Sequence, residues 1–120
     1  MLIRYKKNYE KIAMGLLSFM PTEKDLKALQ QTMKEYEQND QWKLFLWKEE
    51  DDIIGIIGIA IVSETQLEVQ HISVNPSHRQ QGIGKQMIKA LQSLHPNMTL
   101  KPNAYVAPFF EKCNAFEDEQ

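Results

Sequence analysis

The chain has 120 residues, 42% hydrophobic and 25% charged, the composition of one globular domain with one core. Sixteen acidic against fourteen basic side chains give a formal charge of −2, which offers no general attraction for a polyanion, so no nucleic-acid partner is expected. The longest apolar run, residues 53–62, is about half of the ~20 residues a membrane helix needs, and the single cysteine, Cys113, forbids an internal disulfide, so a cytoplasmic protein with no membrane span is expected.

Residues 2–5 alternate and are partly β-branched, which predicts an opening strand. From Asn8 the period becomes helical: Ile12, Leu16 and Phe19, with Ala13, Leu17 and Met20 beside them, form an apolar stripe that Pro21 ends. Lys6, Lys7 and Lys11 ahead of that stretch imitate a signal peptide, but Glu10 lies among them and no Ala-x-Ala site follows. Thr22 with Asp25 predicts a capping box, after which Leu26, Leu29, Met33 and Tyr36 mark the buried face of a second helix. Residues 42–47 and 53–62 are β-rich segments joined by the acidic turn 49–52, an antiparallel hairpin by the simplest connection. Within it Gly55 and Gly58 face opposite sides of a regular strand and signal a bulge or a close backbone approach.

A further strand, residues 67–74, leads through Asn75-Pro76 and Arg79-Gln80-Gln81-Gly82-Ile83-Gly84 into a helix with Met87, Ile88, Leu91 and Leu94 on one face. Residues 98–101 predict a short strand, Pro102 and Asn103 a turn, and residues 106–113 a last helix with Phe109 and Phe110 on its apolar side and Cys113 packed. The acidic end, residues 117–120, is expected to be solvated.

Strand, glycine-containing turn and helix make an anion-binding design, because the first-turn N–H groups of a helix lack intrahelical partners and its dipole favours negative charge. A Walker loop would need Gly where Arg79 stands and Ser or Thr at Gln86. A dinucleotide fingerprint would need a third glycine and an acid about twenty residues on. Both fail here. Arg79, Gly82 and Gly84 instead fill the pattern Arg or Gln, two residues, Gly, one residue, Gly or Ala, and so resemble motif A of the GNAT family of N-acetyltransferases. Ile72-x-Val74-x-Pro76 is similar to that family's strand-to-loop sequence, and Asn103, Val106 and Phe109-Phe110-Glu111-Lys112 resemble its second marker, usually ending in Phe-Tyr-Glu-Lys.

The resemblance implies an α/β, GNAT-like fold over the whole chain: a central mixed sheet with splayed parallel strands flanked by helices and a truncated C-terminus. It implies transfer of an acetyl group from acetyl-CoA to the amine of a small molecule or protein, by direct attack in a ternary complex. Acetyl-CoA, or CoA, would lie in a V between residues 67–74 and 98–101. Its pantetheine would pair with the backbone of Ile72 and Val74, Ser73 and Phe110 would also belong to the cofactor site, and its pyrophosphate would meet N–H groups of Gln80, Gln81, Gly82, Ile83, Gly84 and Lys85. Arg79 would organise the loop, Asn103 would touch pantetheine, and Phe110 stands where the family commonly has a Tyr acid. The closing hairpin that walls the acceptor site has almost no residues left, so a homodimer partner could complete it.

The chemistry needs a base for the amine, a donor for the oxyanion and an exit for the thiolate. Glu68 is the preferred base, acting through a water, and His71 the competitor; on a regular strand their parity is opposite, so they cannot both face the cleft. Each has a structural alternative: a solvated carboxylate for Glu68, a buried hydrogen-bonded ring for His71. A backbone N–H near Val74 supplies the oxyanion donor. Phe110 has no proton to give, which keeps open a second reading as a non-catalytic CoA-binding module. His71, His78 and His95 lack metal-ligand spacing, so no metal is expected.

Overall fold

A computed structural model describes residues 1–118, with residues 113–118 described by their backbone alone. The expectations for the Cys113 side chain and for the acidic end at residues 117–120 therefore lie outside the described residues and side chains. The order is β1 (Leu2–Arg4), α1 (Glu10–Leu17), α2 (Leu26–Gln38), β2 (Trp42–Glu49), β3 (Asp52–Ile61), β4 (Gln66–Val74), α3 (Ile83–Leu94), β5 (Thr99–Pro102) and α4 (Ala107–Asp118). Short 3₁₀ turns precede α1 at Lys7–Tyr9, α2 at Pro21–Glu23 and α3 at Pro76–His78.

The five strands stand in chain order across one mixed sheet. The first four pair antiparallel, as their short connections allow, whereas β4 and β5 pair parallel with α3 as the crossover. Helices α1 and α2 cover one face through Ala13, Leu16, Leu17, Leu29, Met33 and Tyr36, packed on Leu44, Leu46 and Ile56. On the other face Ile83, Met87, Ile88 and Leu91 of α3 join Val106 and Phe110 over Ile57, Ile59, Val69, Ile72 and Val74.

Three sequence expectations shift. The buried stripe of α1 runs through Ala13 and Leu17 with Leu16, while Ile12 is 41% and Phe19 39% exposed, so the stripe is turned by about one position. Asp25 alone caps α2, accepting from Ala28 N–H at 3.3 Å, because Thr22 is held in the 3₁₀ turn that precedes it. Leu26, at the first position of α2, is consequently exposed.

The two hairpin glycines do face opposite sides. A Cβ on Gly55 would meet Met87 Sδ of α3 at 3.0 Å, and one on Gly58 would meet the Tyr36 hydroxyl of α2 at 2.1 Å. Two bulges accompany them: Ile54 has no partner in β2, and Gln70 has none in β3, since Gly58 pairs with His71 and Ile59 with Val69. Each bulge inserts one residue and so reverses which face the following side chains take. Along β4, Leu67 and Val69 lie in the α3-side core, and beyond the bulge it is Ile72 and Val74 that do.

Gly58→Ala should destabilise the protein by about 1–3 kcal/mol, because the ring it strikes is locked in a well-packed core. Gly55→Ala should cost less, since it meets the flexible end of a methionine. Urea unfolding of both variants checks the order; equal losses would contradict it.

Candidate functional site

Pairing between β4 and β5 runs from Gln66 with Thr99 to Val69 with Pro102 and then stops, so the two parallel strands part. Asn103 sits in the crotch of this fork. Its N–H donates to the Val69 carbonyl at 3.0 Å and its side-chain amide donates to the Gln70 carbonyl at 3.1 Å, while its Oδ1 accepts from the N–H groups of Tyr105 and Val106. The side chain expected to touch pantetheine is thus committed to tying the bulge of β4 to the start of α4.

Beyond the crotch the edge of β4 is open. Asn75 N–H donates to Ile54 of β3, so Ser73, two residues earlier on a regular stretch, turns its main chain to β3 as well, and Ile72 and Val74 turn theirs to the fork. Ser73 is therefore corrected: its main chain cannot meet a ligand in the fork, and its side chain is buried on the α1 and α2 face. Val74 is corrected in part, because its carbonyl already accepts from Arg79 Nε at 3.1 Å; its N–H, with the N–H and carbonyl of Ile72, has no main-chain partner among the described residues. Arg79 thereby holds the loop to the end of the strand, and its guanidinium lies 5.5 Å from the centre of the Phe19 ring.

The loop that follows turns sharply from 3₁₀ backbone into α3. Gln80 and Gly82 adopt left-handed conformations, φ 67° and 76°, and Gly82 caps α3. A Cβ on Gly82 would meet nothing within 4 Å, so that face is open. Among the described residues no main-chain carbonyl accepts from the N–H groups of Gln80, Gln81, Gly82, Ile83 or Gly84, while Gln86 N–H closes the first helical turn on Gly82. Ile83 itself points its side chain into the core, 3% exposed.

The two glycines do different work. A Cβ on Gly84 would lie against the Phe109 ring, so this glycine makes room for α4 on its Cβ side, where Gly82 is open. Phe110, expected on the apolar side of the last helix, is packed into the α3-side core and 9% exposed.

The bulge at Gln70 overturns the parity argument for Glu68 and His71. Their neighbours Leu67, Val69 and Ile72 belong to the α3-side core, so Glu68 and His71 both lie on the α1 and α2 face. Glu68 pairs across Lys101 in the zipped part of the fork, is half-buried, and makes no side-chain hydrogen bond or ion pair among the described residues.

His71 is buried with both ring nitrogens engaged. Nδ1 lies 2.6 Å from the Tyr36 hydroxyl and Nε2 lies 3.1 Å from Glu23 Oε1, which also accepts from Thr32. Burial, and after it the charge of Glu23, pushes the Tyr36 hydroxyl well above its usual value, so it keeps its proton and donates. Burial lowers the imidazole from its ordinary 6.5 to about 4, so it is neutral at pH 7. Burial raises the Glu23 carboxyl, with the Thr32 hydrogen bond pulling the other way. With Glu23 a carboxylate, a neutral ring protonated on Nε2 satisfies every atom: Tyr36 donates to Nδ1 and Nε2–H donates to Glu23. Sequence reasoning missed Glu23 and Thr32, for no spacing links either to position 71, and it read Tyr36 as core alone.

Among known proteins, the profile of the acetyltransferase (GNAT) family matches residues 11–116. A Bacillus methanolicus protein described as an uncharacterized N-acetyltransferase in the lysA 3′ region is 66% identical over 113 residues, 94% of either chain. The fold is shared with the aminoglycoside acetyltransferase AAC(6′)-Iy, solved with a bisubstrate analogue, at TM-score 0.74 and 21% identity over 96% of this chain and 87% of that one. It is shared also with a GNAT acetyltransferase from Elizabethkingia anophelis solved with acetyl-CoA, at TM-score 0.68 and 18% identity over 96% and 73%.

The His71 environment predicts acid sensitivity. A folded imidazole at about 4 against 6.5 unfolded means that the unfolded chain binds more protons between those values. Stability from His71 is therefore complete above pH 6.5 and lost as pH falls towards 4; the raised Glu23 carboxyl gives the opposite slope above its usual 4.5. Urea midpoints should fall from pH 7 to pH 4.5, and His71→Gln should flatten that limb; an equally steep limb in the variant would refute the assignment.

Proposed function

The chain belongs to the GNAT family of acetyltransferases, and from that premise we propose that it transfers the acetyl group of acetyl-CoA to an amine by direct attack in a ternary complex. One observation carries the reading: main-chain groups without main-chain partners among the described residues follow one another from Ile72 and Val74, along the open edge of β4, to Gln80–Gly84 at the head of α3. The first set suits the amides of a pantetheine arm, which would take the place of the missing strand partner. The second suits a diphosphate, which gains both unpaired N–H groups and the positive end of a helix dipole. Lys85, next in the chain, adds charge beside them.

Glu68 is the base, through a water that takes the amine proton. A general base needs a free lone pair, and of the two candidates only the Glu68 carboxylate is without partners among the described residues; the His71 lone pair accepts from Tyr36. The freed amine attacks the thioester carbonyl, the oxyanion is met by a fork-facing N–H near Val74, and collapse expels the CoA thiolate. Phe110 gives no proton, and none is required from protein, because a thiol of pKa ~8.5 leaves as the anion and is protonated by solvent. The acceptor, a small molecule or a protein amine, approaches from the α1 and α2 side. A second reading, a CoA-binding module without catalysis, draws on the burial of Phe110 in the core.

Thiol release over an amine panel separates the two readings, and calorimetry with acetyl-CoA tests the donor. Glu68→Gln should lower kcat by about 10²–10⁴-fold while leaving acetyl-CoA affinity intact. Gly82→Trp should weaken acetyl-CoA binding in a chain that still folds, since the space is open and only the left-handed backbone adds strain, about 1–2 kcal/mol. Undiminished turnover in the first variant, or undiminished affinity in the second, would remove those residues from the mechanism.

A further inference from the structure

The chain Tyr36–His71–Glu23–Thr32 is used by none of the steps above, yet it is the most buried polar arrangement among the described residues. Glu23 is 4%, Tyr36 7% and His71 8% exposed. We infer that these four side chains form a clamp that fixes the connection between α1 and α2 against the bulge of β4, making Tyr36, His71 and Glu23 positioning residues for the acceptor side of the fork. The inference rests on the acetyl-transfer reading only for what the clamp serves.

Three observations carry it. The clamp joins separate elements: Glu23 lies in the 3₁₀ turn between α1 and α2, Tyr36 and Thr32 on α2, and His71 on β4 directly after the unpaired Gln70. The sheet is carved to admit it, for the Tyr36 hydroxyl occupies the place of a side chain at Gly58, the register partner of His71. The same connection reaches the rest of the fork as well. Phe19 stacks near Arg79, which holds the Val74 carbonyl, and Met20 is buried within the α3-side core although it lies between α1 and α2.

A connection held in this way sets how closely the acceptor wall stands to the thioester. Beside the clamp lies unused hydrogen-bonding capacity. Thr22 Oγ1 and Gln70 Nε2 are buried without a partner, and each belongs to the residue next in sequence to a clamped group.

Hydrogen exchange of the full chain tests the clamp without an acceptor. The N–H groups of Met20 and Glu23 are hydrogen-bonded to main-chain carbonyls, so their exchange reports opening of the connection. Tyr36→Phe and Glu23→Ala, each stranding a buried partner, should accelerate that exchange about tenfold or more. Glu23→Gln, which keeps an oxygen acceptor for His71, should stay within about twofold of wild type. Calorimetry should find acetyl-CoA affinity unchanged in all three, while KM for whichever of spermidine, neamine and phenethylamine releases thiol rises in the first two. Unmoved exchange in Tyr36→Phe and Glu23→Ala would overturn the clamp, as would acceleration spread equally over α3 with loss of acetyl-CoA binding. If wild type releases thiol with no amine, the acetyl-transfer reading fails, and the exchange result still decides the clamp.

Discussion

Parallel pairing between β4 and β5 ends at Val69 and Pro102, and the consequences of that ending organise the rest of the molecule. A strand edge with unpaired N–H and C=O groups inside a fold is costly unless a partner arrives. Here the edge is kept open by construction. Asn103 spends its side chain on the crotch, α3 departs from the far end of β4, and α4 returns beside it through Val106 and Phe110. What a closed sheet would have satisfied internally is left without a main-chain partner among the described residues.

Glycine and bulge geometry then decide what stands on either side of that edge. The extra residue at Gln70 turns Glu68 and His71 to one face, so a carboxylate and an imidazole that regular alternation would separate come to share a surface. Their environments differ sharply. Glu68 is half-buried and without a side-chain partner among the described residues, whereas His71 is desolvated and bound at both nitrogens. The residue type more often suited to proton transfer is the one whose lone pair is engaged, and the carboxylate is the one whose oxygens are not, among the described residues.

Much of this was legible in the chain, because the informative signals were local. Helix periodicity, the hairpin, the strand running into Arg79–Gly84 and the opposed glycines all depend on residues within a few positions of one another. The face taken by α1 was misjudged by one position, since Ile12 and Ala13 are both apolar and only tertiary packing chooses between them. The contacts of Gly84, Asn103 and Phe110 were not legible for a related reason. Each meets a group distant in sequence: Phe109 packs on Gly84 across two helices, Gln70 receives the Asn103 amide, and Phe110 enters a core drawn from several strands. A single bulged residue invalidated the alternation on which the Glu68 and His71 comparison stood, and bulges leave little trace beyond a nearby glycine such as Gly58.

The hollow at Gly58 carries a consequence for how such a sequence can change over time. Positions 36, 58 and 71 lie on a helix and two strands, yet they share one small volume, and 36 and 71 share one proton. A larger residue at 58 is compatible only with a shorter one at 36, and a shorter one at 36 strands the ring at 71. A change at any one of the three therefore costs packing or a hydrogen bond unless another position changes with it, so their substitution energies should be far from additive.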